Sequence, residues 1–201
     1  MTDVVARAVA ALRRGDLVVL PTDTVYGLAA AARLEAAALA LYRLKGRTSI
    51  QPTAIVAAVV DDLVAAVPEL AGRPEALARA VLPGAYTLVL PNPAQRLPWL
   101  NGERPQAIGV RVPLLGPLAG AIVHQGGPVV ATSANLPGGA DPRSAAEIPE
   151  QIAAGVAAVV DGGRLPGVPS TVIDCTGGEP VVLRAGAGPV EPALERLSRV
   201  G

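Results

Sequence analysis

The interior of this protein must be filled without phenylalanine. None of its 201 residues is Phe and aromatic residues make up 2%, although 51% of the residues are hydrophobic. Alanine, valine and leucine must therefore form the core, with turns supplied by 22 glycines and 20 prolines. A chain of this length buries roughly 70% of its unfolded surface when it folds. We expect one globular domain over residues 1–201, built of short strands and small-faced helices.

Charge, cysteine content and hydropathy exclude several classes of protein. The 17 basic and 17 acidic residues cancel, which argues against a protein that holds nucleic acid by a broad basic face. Cys175 is the one cysteine and His124 the one histidine. We therefore expect neither a disulfide nor a metal site built of several cysteines or histidines. No apolar run approaches the ~18 residues of a membrane span, and the N-terminal sequence does not open a signal peptide. A cytoplasmic protein without membrane contact is the expectation.

One basic residue differs from all the others. Lys45 is the single lysine, and the remaining basic residues are arginines. An ammonium is a compact point charge and a guanidinium is a planar fork, so a site that needs the first does not readily accept the second. Chance retention of one lysine in an arginine-rich chain is the alternative, and composition does not decide between the two.

Helix and strand patterns alternate early in the chain, and strand patterns cluster late. The predicted helices cover residues 4–12, 34–44, 63–67, 74–81, 114–124 and 191–197. The predicted strands cover residues 17–20, 53–60, 86–90, 108–112, 129–131, 157–160, 171–174 and 181–183. Polar loops are predicted at 21–28 and 132–142. This order indicates an α/β domain with a mixed sheet rather than a doubly wound parallel one.

The common nucleotide-binding and catalytic signatures are missing. The one lysine precedes a glycine instead of following one, so the chain has no Walker A loop, and it has no G-x-G-x-x-G fingerprint. A catalytic triad would have to use His124, which falls near the end of an apolar helical pattern and is interpreted as structural. The polar residues at the ends of helices and strands remain as candidates.

Two pairs of polar residues share an i, i+2 spacing. Lys45 and Arg47 follow a predicted helix, whereas Ser133 and Asn135 follow a predicted strand. In extended backbone, residues two apart point to the same side. Two cations with a hydroxyl and an amide suit a polyphosphate, whose oxygens accept charge-assisted hydrogen bonds. The alternatives are a lysine that complements a helix dipole, a solvated arginine, and a Ser-x-Asn turn before Pro137.

Seven short motifs occur in an order typical of one family. They are PTDTVYGL (21–28), K-x-R (45–47), IGVRVP (108–113), ATSAN (131–135), DGG (161–163), PSTVID (169–174) and LRAGA (183–187). On these motifs the chain resembles the YrdC/Sua5 family from about residue 4 to 187. Members are threonylcarbamoyl-AMP synthases, which combine L-threonine, bicarbonate and ATP, release pyrophosphate, and supply the group for N6-threonylcarbamoylation of adenosine 37 in tRNA. The resemblance implies a twisted mixed sheet, flanked by helices, with a concave and positively lined ligand cavity.

The resemblance also implies roles for individual residues. Those implied for ATP are Lys45, Arg47, Ser133, Asn135 and Arg184, with Lys45 and Arg47 as the catalytic pair. Mg²⁺ would arrive with ATP and lie near Ser133 and Asn135, without a dedicated protein site. Those implied for threonine are Thr22, Arg111 and Ser170, with Asp23 and Tyr26 at the pocket entrance. A structural ion pair at a strand end and a turn hydroxyl are the alternatives for Arg111 and Ser170.

The chain departs from the family pattern at three places. The segment 48–53 reads TSIQPT where the family has Pro directly after the Lys-x-Arg pair, LPGA at 82–85 replaces Trp-Pro-Gly-Pro, and Pro169 replaces a glutamate. One alternative function is therefore a relative that keeps the nucleotide cavity but uses another acyl acceptor or carbamoyl donor. A second is a non-catalytic RNA-binding module, against which neutral charge and scarce aromatic residues weigh.

The resemblance also carries an expectation about partners. Longer relatives have an extra C-terminal domain, and this chain ends at Gly201. It therefore resembles the single-domain form, which hands its product to a separate tRNA threonylcarbamoyl-transferase complex. Direct contact with tRNA is expected to be weak, because the chain has no net positive charge.

Overall fold

The fold rests on a nine-stranded mixed sheet. The computed structural model describes residues 2–47 and 52–200. The strands in these residues are β1 (Val18–Pro21), β2 (Tyr26–Ala31), β3 (Ala54–Val56), β4 (Tyr86–Pro91), β5 (Ala107–Arg111), β6 (Val129–Ser133), β7 (Ala158–Val159), β8 (Thr171–Asp174) and β9 (Val181–Arg184). The helices are α1 (Thr2–Arg14), α2 (Glu35–Leu44), α3 (Val60–Ala66), α4 (Arg73–Val81), α5 (Pro117–Gly126), α6 (Glu150–Ala154) and α7 (Val190–Ser198).

The strand order interleaves the two halves of the chain. It is β7-β1-β2-β6-β3-β5-β4-β8-β9, with parallel pairing of β7 with β1, β3 with β5, and β4 with β8. The other neighbouring strands are antiparallel. The predicted mixed α/β sheet with flanking helices is thereby confirmed. None of the helices in the described residues has the length and apolarity to cross a lipid bilayer.

One face of the sheet is covered by helices. Alternate strand residues such as Ile55, Leu88 and Val110 are fully buried there. The helices that pack on this face are α2, α3, α4 and α7, whose apolar stripes are made mostly of leucine and alanine. Each buried leucine contributes about 1.5–3 kcal/mol relative to an exposed one. Many small contacts thus replace the large aromatic side chains that the sequence lacks.

The opposite face is covered over only part of its area. Helices α1 and α5 pack on a second apolar cluster that includes Val18, Ala29, Val56 and Val129. Val18 pairs with Ala29 across β1 and β2, so these side chains share one face. Beyond this cluster the same face is concave, and residues of β2, β6, β3, β5, β4, β8 and β9 line a cavity. The incomplete helical cover therefore creates the space for a site.

Strand β2 was not predicted. The polar loop expected at 21–28 is a turn of four residues, because β2 already begins at Tyr26, which pairs with Pro21. The Thr22 hydroxyl closes this turn: it donates to the Val25 carbonyl at 2.7 Å and accepts from the Thr24 amide at 3.2 Å. The sequence Tyr-Gly-Leu-Ala-Ala-Ala has little intrinsic strand preference. Its small residues form a strand because both faces and both edges are buried between β1 and β6.

Two other predicted boundaries were wrong. The strand expected over 53–60 ends at Val56, and Val60 already belongs to α3, whose first turn carries Asp61 and Asp62 next to the positive end of the helix dipole. The loop expected from residue 132 begins later, because β6 continues through Ser133. The segment 48–53 departs from the family pattern, and its residues 48–51 lie outside the described residues.

The segment between β7 and β8, here called the crossing segment (residues 160–170), connects strands that lie seven positions apart in the sheet. It contains no helix or strand. Its amides donate from Gly162 to the Tyr26 hydroxyl (3.0 Å), from Leu165 to the Arg143 carbonyl (2.7 Å) and from Gly167 to the Thr24 carbonyl (2.8 Å). The crossing segment is thus fixed against the β1–β2 turn, and its last residues form one wall of the cavity.

Candidate active site

The floor of the cavity is made of small residues. Gly27, Ala54, Gly109 and Ala131 line it, and Ala54 pairs in register with both Ala131 and Gly109. A Cβ at Gly109 would lie 3.3 Å from the Ala54 Cα, so the strands approach closely there. The absence of side-chain bulk leaves a cavity of about 360 Å³. This volume falls in the range of about 300–1,000 Å³ that small-molecule sites occupy.

The charged residues on the walls of the cavity are mainly cationic. Arg47, Arg104, Arg111 and Arg184 line it, and they come from the end of α2, the loop before β5, the end of β5 and the end of β9. Among the lining residues in the described part of the chain, Asp141 is the one acidic side chain. Such an excess of guanidinium groups inside a concave surface suits a multiply charged anion.

Lys45 lies behind one wall of the cavity, where it contacts Ser133, a residue that lines the cavity. It is fully buried directly after α2. Its Nζ donates to the Ser133 carbonyl and, at 2.6 Å, to Oδ1 of Asn135, and it lies 3.3 Å from the Ser133 hydroxyl oxygen. That hydroxyl donates to the same Asn135 oxygen at 2.7 Å. Three of the four residues in the predicted pairs therefore form one hydrogen-bonded cluster.

Arg47 reaches the same region. Its guanidinium donates to the Thr132 hydroxyl at 3.1 Å, one residue before Ser133, and it lines the cavity. The two pairs meet because α2 packs on β2, and β2 pairs with β6 so that Gly27 lies opposite Ser133. The end of the helix and the end of the strand are thus adjacent in space.

The cations at this end of the cavity lack carboxylate partners. Burial, and then the charge of Arg47, lower the pKa of Lys45 to about 8, while Asp141 acts in the opposite direction. Burial also lowers the pKa of Arg47. No ion pair within 4.0 Å among residues 2–47 and 52–200 involves Lys45, Arg47 or Arg184. A buried cation without a counter-charge is costly, and a bound anion would supply that charge.

Arg111 lies on the cavity wall at the end of β5. Its guanidinium donates to Asp23 at 2.5 Å and to the Thr24 hydroxyl at 2.7 Å, so the predicted alternative of a strand-end ion pair does occur. Burial lowers the pKa of Arg111, and Asp23 opposes that shift. The Nε atom is buried without a hydrogen-bond partner in the described residues. Arg111 is therefore fixed by one edge of its guanidinium and keeps an unused donor.

The other residues predicted for threonine and nucleotide also line the cavity. The Ser170 hydroxyl lies 2.9 Å from the Thr87 hydroxyl, and Arg184 donates to the Ser170 carbonyl at 2.8 Å. The charge of Arg184 acts on Arg111, so these groups share one end of the cavity. Thr22 lines the cavity too, although its hydroxyl is engaged in the β1–β2 turn.

The candidate residues that do not line the cavity are Lys45, Asn135, Asp23, Tyr26 and His124. The first three contact residues that do line it, whereas the last two lie elsewhere. Tyr26 is fully buried on the helix-covered face, and its hydroxyl donates to the Gly163 carbonyl (2.7 Å) and to Asp161 (3.0 Å). It therefore anchors the crossing segment and does not border the pocket entrance. His124 is 70% exposed on α5, 3.9 Å from Asp62, and is not among the lining residues.

Sequence reasoning missed several residues of the wall. Thr87 projects into the cavity from β4, and Arg104 lies on the wall paired with Asp174 at 2.8 Å. Thr132 and Asp141 complete the surroundings of Arg47. The alternation of β4 would have identified Thr87 once its inward face was known. Arg104 and Asp141 lie in loops whose sequences carry no pattern for such a role.

The fold and the site define an α/β protein with an arginine-lined cavity on the open face of a mixed sheet. The family model of Sua5, YciO and YrdC proteins, described as "Telomere recombination", matches residues 10–186. The chain belongs to this Sua5/YciO/YrdC family.

Three similar proteins illustrate the match. The threonylcarbamoyl-AMP synthase of Bacillus subtilis is 37% identical over 187 residues, which cover 90% of this chain and 53% of the relative. A putative threonylcarbamoyl-AMP synthase of Mycobacterium tuberculosis is 36% identical over 200 residues, 98% of this chain and 88% of the relative. The crystal structure of Pyrococcus abyssi Sua5 complexed with L-threonine matches with a TM-score of 0.84 at 34% identity. The match covers 98% of this chain and 56% of the Sua5 chain. The chain thus spans about half the length of the first and third proteins.

Proposed function

We propose that this protein is a cytoplasmic threonylcarbamoyl-AMP synthase. It would combine ATP, L-threonine and bicarbonate into L-threonylcarbamoyl-AMP and release pyrophosphate. The observation that carries the proposal is the buried Lys45, which has no carboxylate partner within 4.0 Å among the described residues and lies against the end of β6 beside a cavity lined by arginines. The names of the two curated relatives and the threonine bound to Pyrococcus abyssi Sua5 support the same reaction.

The two ends of the cavity suit the two substrates. Lys45, Arg47, Ser133 and Asn135 form the end at which the triphosphate would bind, because the cations there have no other counter-charge in the described residues. Threonine would bind at the other end, where the predicted residues are Thr22, Arg111 and Ser170. The guanidinium of Arg111, a planar donor group on the cavity wall, suits the amino acid carboxylate. Arg184, which lies at the same end as Arg111 and Ser170, would contact the nucleotide from there.

The reaction needs positioning and charge stabilisation rather than a protein nucleophile. The threonine amine attacks the carbon of CO₂, and the new N–C bond gives a carbamate with loss of a proton. When bicarbonate supplies the carbon, the C–O bond to its hydroxyl group breaks and water leaves. A carbamate oxygen then attacks the α-phosphorus, and the bond to the bridging oxygen breaks as pyrophosphate leaves with its electron pair. Lys45 and Arg47 would stabilise the negative charge that grows on that leaving group. Orientation of the reactants contributes up to roughly 7–11 kcal/mol.

The site suits Mg²⁺ that arrives with ATP. No group of three or more His, Cys, Asp or Glu side chains that could hold a metal occurs in the described ranges. Ser133 and Asn135 nevertheless offer hard oxygen donors at the end of β6, next to the cations, and Mg²⁺ prefers few protein ligands together with phosphates and water. Ser133 and Asn135 would hold the ion. When bound, the ion would neutralise part of the negative charge of the triphosphate.

The product would pass to another protein. We propose a separate tRNA threonylcarbamoyl-transferase complex as the acceptor, with at most weak direct contact to tRNA. The supporting observation is that the cations of the site line the interior of a cavity, whereas the chain as a whole has no net charge.

Incubation of the protein with ATP, Mg²⁺, bicarbonate and threonine tests the proposal. We expect a mass that corresponds to the threonylcarbamoyl adenylate and pyrophosphate release that depends on threonine and bicarbonate. Release with a different amino acid, and none with threonine, would favour the relative with another acceptor. Salt-sensitive tRNA binding in the absence of ATP, with no turnover, would favour the RNA-binding module.

A further inference from the structure

The one carboxylate on the cavity wall has no role in the reaction as described so far. Asp141 lines the cavity together with Arg47, Thr132 and Ser133, and it is the sole acidic lining residue within the part of the chain that the structure describes. An acidic side chain beside a bound tetra-anion would weaken its binding. The position of Asp141 therefore requires an explanation if the cavity takes ATP.

The loop that carries Asp141 is held on both sides. The Asn135 side-chain amide donates to the Gly139 carbonyl at 2.6 Å, and the Tyr26 amide donates to the Pro142 carbonyl at 3.1 Å. The first contact connects the loop to the Lys45 cluster, and the second connects it to the start of β2. Asp141 is thus fixed between two anchored carbonyl groups and is not at the tip of a free loop.

The carboxylate of Asp141 is near cations without pairing with them. No hydrogen bond or ion pair within 4.0 Å joins it to another residue of the described ranges. Its charge nevertheless acts to raise the pKa values of both Lys45 and Arg47. The side chain is half-buried and lines the same cavity as Arg47. Its oxygen atoms are therefore available to a ligand at the triphosphate end.

We propose that Asp141 faces the divalent cation carried by ATP and thereby selects the metal-bound nucleotide over the free one. This inference rests on the proposed function. A divalent cation between the carboxylate and the phosphates would replace one repulsive contact with two attractive ones. Mg²⁺ in nucleotide sites is commonly held by one or two carboxylates together with phosphate oxygens. Asp141 would add a carboxylate to the hydroxyl of Ser133, which lines the same cavity.

Calorimetric binding of ATP with Mg²⁺ and of ATP with EDTA tests this assignment. The wild-type protein should bind the magnesium complex more tightly. Asp141→Asn should bind metal-free ATP about tenfold more tightly than wild type, because a repulsive charge is removed, and should bind the magnesium complex more weakly. The matched control is Asp62→Asn, a carboxylate outside the cavity, which should leave both affinities unchanged.

A second variant tests the contact with the metal directly. Asp141→Cys places a thiolate where the carboxylate stood, and thiolates prefer Cd²⁺ to Mg²⁺. The affinity for cadmium–ATP relative to magnesium–ATP should rise at least tenfold over the wild-type ratio. The native thiol does not interfere, because Cys175 is buried and burial raises its pKa to about 11.

The outcomes are distinguishable. An unchanged ratio of the two ATP affinities in Asp141→Asn would overturn the inference, as would an equal gain in both, which indicates an effect on Lys45 and Arg47 alone. An equal loss in both would indicate a structural role and would overturn it too. A wild-type protein that binds ATP in neither condition would overturn the proposed function itself.

Discussion

The Nζ atom of Lys45 lies 2.6 Å from Oδ1 of Asn135, a residue 90 positions further along the chain. The contact connects the end of helix α2 to the end of strand β6, and it places the buried ammonium beside a cavity of about 360 Å³. Because the Lys45 charge has no carboxylate partner within 4.0 Å among the described residues, its contribution to ligand binding can be measured.

Replacement of Lys45 tests its role in the reaction. Lys45→Ala should lower threonine-dependent pyrophosphate release on the order of 100-fold, the effect typical of removing one group that stabilises developing charge. Lys45→Arg should not restore the rate, because a planar fork does not fit three acceptors arranged around one nitrogen. Circular dichroism of both variants checks that they fold. Near-wild-type rates would remove Lys45 from the site.

The pKa of Lys45 predicts proton uptake on nucleotide binding. In the free protein this pKa is lowered to about 8, and a bound triphosphate would raise it. Below pH 8 the amine is already charged, so binding takes up no proton there. Above pH 8 binding must take up a proton, and ATP affinity should fall as the pH rises. Calorimetry in buffers of different ionisation enthalpy measures this uptake, which Lys45→Arg should abolish; uptake that persists in Lys45→Arg would contradict the assignment.

Arg111 should affect threonine more than ATP. Arg111→Ala removes a charged donor group from the cavity wall, and loss of one charged hydrogen bond typically costs about 1.5–3 kcal/mol. The threonine KM should therefore rise about 10- to 100-fold, with a smaller change in the ATP KM. Arg96→Ala, which removes an exposed arginine paired with Glu69, is the matched control. Equal effects on the two substrates would refute the threonine assignment.

The residues of the cavity floor should have to be small for the ligands to fit. Ala54→Leu adds bulk that projects from β3 into the cavity, so we expect ATP and threonine binding to fall at least tenfold while the thermal stability changes little. The control is Ala36→Leu, which makes the same Ala-to-Leu change on the exposed side of α2. If Ala54→Leu binds both ligands normally, the cavity is not where they bind.

Tyr26 should stabilise the fold through the crossing segment. Its buried hydroxyl accepts from the Gly162 amide and donates to the Gly163 carbonyl, so Tyr26→Phe leaves these groups unpaired. The loss should be about 1–3 kcal/mol in the free energy of unfolding, measured by urea denaturation. Tyr86→Phe removes a hydroxyl that donates to Pro189 outside the crossing segment, and it should leave the threonine KM unchanged. In Tyr26→Phe that KM should rise, because Ser170 ends the segment.

The sequence allowed some features to be predicted and not others. The Lys-x-Arg and Ser-x-Asn pairs were identified as candidates, and the fold does bring them together. The reason is not the expected extended backbone, because Lys45 has helical φ and ψ and Gly46 has a φ of 64°. The pairs meet because α2 packs on β2, which pairs with β6. Strand β2 was missed because its strand conformation comes from burial between β1 and β6 and not from its alanines. Arg104 and Asp141 were missed because their places on the wall depend on loop paths through the folded protein, which no local pattern encodes.

The interleaved order of the strands has a consequence for synthesis. Side chains that line the cavity come from positions as early as Thr22 and as late as Arg184, and early strands lie between late ones. A nascent chain can pair β3, β4 and β5 with one another, but the cavity is completed only when β6, β8 and β9 join them. Such non-local pairing slows folding, so the site should form in one late step after most of the protein has been translated.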